Sequence, residues 1–565
     1  MTALSHCAWL GSAVLCMSLL AGCSDQAPLS GAKPPEPNNP LQAGTKQGPG
    51  AGGPTEKLKP GERVAMLRKA VQAREEAVYE EARKATLRLN SAPDKLQPSA
   101  LNVVLLTVDT LRFDDTGGFG SKLETSPAIA ALAKQGVRFA NAISPGPWTV
   151  PAMYSLITGM YPTEHGITGG IVSPMGNRIL GQPVLSQAAM TIAERLKALG
   201  YGTFGVCTNF HLSAKYGYAQ GFDMFVGQEF DVLPFPNFAA ESFLPLMRKF
   251  DKYFLWVHYF DPHAPYKVQS PWFTQWNESP YDSVEALAFE LTAAYYRGKA
   301  NLGDKGPIFP PHAVPIKKLA LLAATQPVML NLGLSYLKAG ADSEPIKFLR
   351  AAHRSEIRAT DQALGRLLEK LGIGENTLVI VVADHGEEFM EHGHMDHRLN
   401  GSVYHELIHV PMLMVLPGRK HAGKVIDTPV STMDIMATIM DVLGQPIEGQ
   451  TSGRSLLPLI EGKPFETRPV YTELHEVRLG EFRAILEYPW KYIHAFKTGT
   501  GQLFDLSKDP TEKSDLAATE TERAAAMKKK LLEWTASLSP QYPTTAPVPI
   551  SPEEMRRLKA MGYMQ

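Results

Sequence analysis

Cysteine is scarce in this chain: four in 565 residues, Cys7, Cys16, Cys23 and Cys207. Three of them fall within the first 23 positions, so export and processing of that segment leave Cys207 as a lone thiol, and no intrachain disulfide framework is expected. An excess of either charge is also lacking. Lys and Arg number 56 against 57 Asp and Glu, a formal net charge of -1, whereas nucleic-acid binding calls for a strongly basic domain. Apolar runs long enough to span a bilayer are lacking beyond residue 22, which argues against a multi-span membrane protein.

What is present at the start is "MTALSHCAWLGSAVLCMSLLAGC", an apolar run followed by small residues. Its length suits a secretory signal over residues 1–22. "LAGC", Leu20 to Cys23, resembles a bacterial lipobox, although no Lys or Arg precedes the run. The resemblance implies acylation of Cys23 and a cell-envelope location, with Ser24 pointing to the outer membrane, on its periplasmic or surface face. Residues 23–60 are rich in Pro, Gly and small polar residues and cannot bury a core. A tether of that length spans roughly 35 Å. Residues 61–98 carry a narrow apolar stripe (Val64, Leu67, Val71, Val78) at helical spacing.

"LNVVLLTVD", from Leu101, is an unbroken apolar run ending in Asp109, the pattern of a strand buried on both faces of a parallel sheet. "NTLVIVVADHG" repeats it and ends in Asp384-His385; "YFLWVHYFD" ends in Asp261, and "HVPMLMVLPG" reads as a further strand. Helical patterns fall between them, at Ser126 to Gln135, Ala188 to Leu199, His353 to Leu371 and Thr432 to Leu443. Strands alternating with helices predict a doubly wound, mostly parallel α/β domain over 99–465. A helical insertion is expected at 267–350. The stretch 466–565, with β-branched and aromatic residues between turn signals, predicts a small antiparallel C-terminal subdomain.

In such a sheet, functional groups gather at the carboxyl ends of the strands, where Asp109, Asp261 and Asp384 fall. Two carboxylates and an imidazole suit a divalent cation. "SPGPWTVPAMYSLITGMYP" places Thr149 before a Pro and a helical run. On its own that stretch reads either as an N-cap or as a nucleophile on a sharp strand-to-helix turn. His165 reads as a structural histidine, and Glu387 as a residue able to orient a ligand.

Together, "NVVLLTVDTLRFDD", "SPGPWTVPAMYSLITGMYPTEHGI", "FLWVHYFDPHAPY", "VVADHGEEFMEHG", "LFDLSKDPTE" and "LKAMGY" resemble, in this order, the sulfatase family of the alkaline-phosphatase-like superfamily. The resemblance implies one divalent metal ion (Mn or Zn favoured, Ca possible) held by Asp109, Asp384, His385 and Thr149. Thr149 then occupies the nucleophile position, His258 and His263 face the substrate, and His397 neutralises its anionic group.

The departures carry as much weight. Where sulfatases have Cys-x-Pro-Ser-Arg, with the Cys oxidised to formylglycine, this chain reads Thr149-Val150-Pro151-Ala152-Met153. A Thr cannot become formylglycine, and the motif's Arg is Met153. The expectation is a metal-dependent hydrolase of a small anionic ester or envelope substrate, phosphodiester or phosphonate ester ahead of sulfate, working through a covalent Thr149 intermediate. A phosphoethanolamine- or phosphoglycerol-type transferase and a non-catalytic anchored binding protein are the competing readings.

Overall fold

The computed structural model describes residues 101–551 apart from 170–180, 228–232, 265, 270, 283–286, 288–339, 398–402, 448, 477–479 and 543–547. The expected signal segment, Cys23, the tether, the 61–98 helix, most of the insertion and "LKAMGY" lie outside the described residues.

In chain order the strands are β1 (Asn102–Val108), β2 (Val137–Ile143), β3 (Gly202–Cys207), β4 (Met224–Gly227), β5 (Tyr253–Tyr259), β6 (Thr377–Ala383), β7 (Glu388–Phe389), β8 (Met395–Asp396), β9 (His409–Val415), β10 (Val425–Ile426), β11 (Val430–Ser431), β12 (Val470–Glu476), β13 (Gly480–Glu487), β14 (Trp490–Ala495) and β15 (Thr500–Asp505). The helices used below are α1 (Pro127–Gln135), α2 (Thr149–Thr158), α3 (Ile192–Ala198), α4 (Glu344–Leu371), α5 (His405–Ile408), α6 (Asp434–Val442) and α7 (Thr521–Ser537).

A nine-stranded sheet runs β10-β2-β9-β6-β1-β5-β3-β4, with β11 also on β2. The central strands β6, β1, β5 and β3 are parallel, and β9 is antiparallel to both its neighbours. All seven residues of β1, of β5 and of β6 are buried, as their unbroken apolar runs require. Val108 stands opposite both Tyr259 and Ala383. The chain therefore leaves three adjacent strands at one level, and parallel neighbours lie about 4.8 Å apart. The carboxyl edge so formed carries the candidate site.

α1 shows how tertiary contacts complete a local signal. Its cap residue Ser126 makes no side-chain capping bond. Instead Asp361 of α4 accepts the backbone N–H groups of Ala128 and Ile129 at 3.0 and 2.8 Å, satisfying donors that every helix start leaves open.

The structure moves one expected boundary. The helix expected from His353 to Leu371 is the 28-residue α4, which begins at Glu344. Ile346, Phe348 and Leu349 of its first turns pack with Tyr266 and Phe273, and with Phe389 and Met395 of the β7–β8 hairpin, in one apolar cluster. Residues on both flanks of the expected insertion thus support the hairpin that follows Asp384-His385.

The C-terminal sheet is antiparallel, in the order β12-β13-β14-β15, and α7 packs on it through Ala524, Met527 and Leu531. A fully buried ion pair, Lys491 Nζ to Glu512 Oε1 at 2.7 Å, joins β14 to the loop after β15, and both partners then reach the main domain. Lys491 also donates to the Val403 carbonyl, and Glu512 accepts the His405 N–H of α5.

Candidate metal centre and active site

Asp109 follows β1, and Asp384 and His385 follow β6, all fully buried. Thr149 is the first residue of α2, 2% exposed, at the same edge. This corrects one expectation. The cap of α2 is Trp148, in extended conformation, and Thr149 makes no capping bond, so its hydroxyl is free for other work. That hydroxyl lies 3.2 Å from His385 Nε2. His385 Nδ1 is 2.8 Å from the Gly386 carbonyl, which can only accept. The proton therefore sits on Nδ1, and Nε2 presents its lone pair to the site.

Around this point His385 Nε2 is 3.4 Å from Asp109 Oδ1 and 3.5 Å from Asp384 Oδ2. Four ligands at roughly 2.0–2.2 Å from one tetrahedral ion stand about 3.4 Å apart, so the three distances at His385 fit a shared cation. Asp109 Oδ1 and Asp384 Oδ2 are buried without a hydrogen-bond partner, which is costly unless a positive charge faces them. Electrostatics agree. Burial and the charge of Asp109 push the Asp384 carboxyl well above its usual range. Burial would raise Asp109 too, but His263, His258 and His385 around it hold it low. Burial and the neighbouring His397 push the His385 imidazole down to about 3, keeping it neutral, as a ligand must be.

His258 lies beside Asp109. It is fully buried, and its Nε2, which has no hydrogen-bond partner, lies 3.5 Å from Asp109 Oδ2. Its ligand atom and those of Asp109 and Asp384 all fall within 4.8 Å of one another. It joins the two carboxylates at the edge of the sheet. Asp261, the third strand-end acid, stays out of the cluster: it pairs with Lys267 at 3.0 Å and accepts the Leu233 N–H.

His263 and His397 stand together, ring centroids 5.0 Å apart, and the His397 ring lies 4.3 Å from that of His385. His263 Nδ1 donates to the Ala264 carbonyl at 2.5 Å. His397 Nδ1 lies 2.9 Å from Glu387 Oε1 and 2.8 Å from Asp396 Oδ1. Burial favours the neutral ring, but those two carboxylates outweigh it and hold the imidazole protonated, well above its usual range. Glu387 therefore positions His397, and its other oxygen accepts the Tyr266 hydroxyl at 2.8 Å. His165 is buried and bonded to Ser155 at 3.1 Å, the structural histidine that its context suggested.

Two contributors were missed in the sequence. Asn209, just past β3, donates to Asp109 Oδ2 at 2.7 Å; the strand-end rule that found Asp109 applies equally to "VCTN". Arg112 is buried, donates to the Glu387 carbonyl at 2.5 Å and pairs with Asp114 and Glu391 at 2.7 and 2.8 Å. It bolts the loop after β1 to the loop after β6. Thr110, between them, has φ +51°, a strained value for a β-branched residue; there its N–H lies 3.3 Å from Asp384 Oδ1.

Comparison with known proteins bears on this arrangement. Arylsulfatase K of Canis lupus familiaris is 35% identical over 201 residues, 33% of this chain and 37% of the relative, so the chain spans little more than a third of that relative's length. The ulvan-active sulfatase of Formosa agariphila is 25% identical over 464 residues, 77% of this chain and 82% of that protein. The fold is shared with the phosphonate monoester hydrolase of Agrobacterium radiobacter, with a TM-score of 0.57 at 21% identity over 80% of this chain and 98% of that one. The profile described as N-sulphoglucosamine sulphohydrolase, C-terminal, matches residues 390–537. The sulfatase profile matches residues 101–445, from the first buried strand to just past α6, and the chain belongs to the sulfatase family of hydrolases.

Proposed function

We propose that this chain hydrolyses an anionic ester, phosphodiester or phosphonate ester ahead of sulfate ester, through a covalent intermediate on Thr149. The observation that carries the reading is the Thr149 hydroxyl, free of any capping bond, 3.2 Å from His385 Nε2 beside two unpartnered carboxylate oxygens.

Asp109, Asp384, His385 and Thr149 are the residues that would hold a divalent ion, Mn or Zn by their mixed oxygen and nitrogen donors. When bound it supplies positive charge that neutralises the anion and lowers the pKa of a coordinated hydroxyl. The remaining work falls to the protein. Thr149 Oγ forms the bond to phosphorus while the bond to the leaving oxygen breaks, and the Thr proton passes to solvent. His263, whose Nδ1 is fixed by the Ala264 carbonyl, gives the leaving oxygen a proton. Water then attacks phosphorus as the bond from phosphorus to Thr149 Oγ breaks; His263 takes a proton from that water, and Thr149 Oγ regains its proton from solvent. His397, held charged by Glu387 and Asp396, pairs with a non-bridging oxygen. The N-terminus of α2 adds partial positive charge beneath the same group.

The names of the relatives make sulfate the rival anion. The nucleophile favours phosphorus, since a formylglycine hydrate expels sulfate by collapse of its second hydroxyl and a plain Thr ester has no such exit. Met153, fully buried where the sulfatase motif has Arg, removes a group that the formylglycine motif includes. The lipobox-like "LAGC" extends the proposal to an anchored enzyme of the bacterial envelope.

Turnover of bis(p-nitrophenyl) phosphate, p-nitrophenyl phenylphosphonate and p-nitrophenyl sulfate by one preparation tests the substrate class, and mass spectrometry of quenched protein tests the intermediate. A phosphoryl group on the Thr149 peptide is expected. Faster turnover of the sulfate than of either phosphorus ester would reverse the order proposed here. Product formed only when an alcohol acceptor is supplied would mark a transferase.

A further inference from the structure

One face of α4 meets the loop that follows β1. Arg350, His353 and Arg354 share that face at i, i+3 and i+4. The two arginines pair with Asp115 at 3.2 and 2.7 Å. His353 is fully buried, with its Nε2 3.1 Å from the Thr110 carbonyl. A carbonyl can only accept, so Nε2 carries the proton, and Nδ1, buried without a hydrogen-bond partner, carries the lone pair. Burial pushes the imidazole down to about 3, so the ring is neutral. It packs on Tyr266 and Phe389, with centroids 5.6 and 5.2 Å away.

The Thr110 side chain does nothing to hold its own backbone. A φ of +51° is disfavoured for a β-branched residue, and such strain persists only where the surroundings over-determine it. The usual local remedy is a side-chain bond to nearby backbone, yet the Thr110 hydroxyl is buried without a partner. Two outside contacts remain. The Thr110 N–H lies 3.3 Å from Asp384 Oδ1, and the Thr110 carbonyl takes the His353 proton. The first contact leans on the same carboxylate that it helps to place. His353, carried on a 28-residue helix, is the fixed end. Asp384 Oδ1 also accepts the His385 N–H at 2.8 Å. Two backbone donors thus hold one oxygen and turn the other, Oδ2, toward His385 Nε2, 3.5 Å away.

We propose that His353 is a positioning residue for the active-site carboxylates. Its Nε2–H holds the Thr110 carbonyl and keeps Thr110 left-handed, which aims the Thr110 N–H at Asp384 Oδ1 and fixes the path of the chain out of Asp109. The consequence for an ion rests on Asp109 and Asp384 sharing it, as proposed above. Without His353 the turn relaxes, the N–H leaves Asp384, and the two acids no longer face one point.

Zn2+ affinity of chelator-stripped full-length protein is measured by competition with a chromophoric chelator. His353→Leu is expected to bind about 10–100-fold more weakly than the unmodified chain, the usual cost of losing an outer support. His353→Gln, whose amide N–H can donate to the same carbonyl, is expected to recover most of that loss. Equal weakening in both variants assigns the effect to ring packing and overturns the proposal. Unchanged affinity in His353→Leu beside a loss in Asp384→Asn overturns it too. Crystal structures of the metal-free proteins read the backbone without any ion. Thr110 is expected at positive φ in the unmodified chain and at negative φ in His353→Leu, with its N–H off Asp384. A positive φ with the Thr110–Asp384 contact intact in that variant removes the role of His353. If Asp384→Asn binds Zn2+ as tightly as the unmodified chain, the metal-centre reading fails instead, and the Thr110 backbone decides for His353 alone. His353→Asn, whose shorter amide stops short of Thr110, replaces His353→Leu if the latter does not fold, with the same outcomes expected and the same ones overturning.

Discussion

At the scale of single residues, Thr149 and Glu387 divide the labour. Thr149 sits at the first position of α2 with no capping role. Thr149→Ala therefore costs the fold less than the roughly 1 kcal/mol of a lost cap, while turnover of a phosphodiester is expected to vanish. Thr149→Ser keeps a hydroxyl and should keep part of the rate. A Thr149→Ala enzyme with near-normal kcat and an unchanged melting temperature would remove the nucleophile from the proposal. Glu387 touches His397 but no other member of the carboxylate cluster. Glu387→Gln should spare metal content and reduce kcat by about 10–100-fold, with binding of an uncleaved anionic analogue weakened, because the charge on His397 loses one of its two carboxylate partners. Equal kcat in the variant would reduce that contact to packing.

At the scale of elements, the sequence disclosed what is written in one segment and hid what is shared between two. β1 and β6 were legible because a strand buried on both faces must be apolar throughout, and the acid ending each run breaks the pattern where function begins. The position of His258 was not legible: in a strand buried on both faces the apolar pattern does not show which face carries which side chain. The start of α4 was hidden because its first turns read as part of an apolar, helix-rich insertion, and only their packing on Phe389 and Met395 shows where they belong. The clamp between the C-terminal sheet and α5 was also invisible, since Lys491 and Glu512 lie 21 positions apart with nothing in either context to mark burial. Removing one partner of such a pair leaves a buried charge uncompensated. Lys491→Met should lower unfolding stability by about 3–5 kcal/mol, measured by urea denaturation, and Lys491→Met with Glu512→Gln should recover most of it. A single variant as stable as the parent would show that water reaches the pair.

At the scale of the whole molecule, buried imidazoles set a direction for pH. Burial pushes both His165 and His409 down to about 4, against about 6.5 in an unfolded chain. Between those values the unfolded state binds more protons, so stability is fully present above about pH 6.5 and falls as pH drops toward 4. Thermal melts across that window should show the decline, and His165→Gln should flatten it; an equal slope in the variant would assign the effect to other groups. The lipobox-like start makes a separate prediction. In a bacterial expression host, Cys23→Ala should move the protein from the membrane fraction to the soluble fraction, and unchanged fractionation would reject the anchor. Because Val108 stands level with Ala383, the gap between the Asp109 and Asp384 backbones is fixed by the hydrogen-bonding ladder itself. The sheet acts as a ruler whose smallest division is one strand, and no loop has a say in it. Everything strung between those two acids along the chain, some 275 positions that include His258, His263 and the segment 288–339, can lengthen, shrink or be exchanged over evolutionary time without recalibrating the distance. Such a chassis lets one reaction centre be carried from ester to ester by descent, with novelty confined to what hangs from the edge.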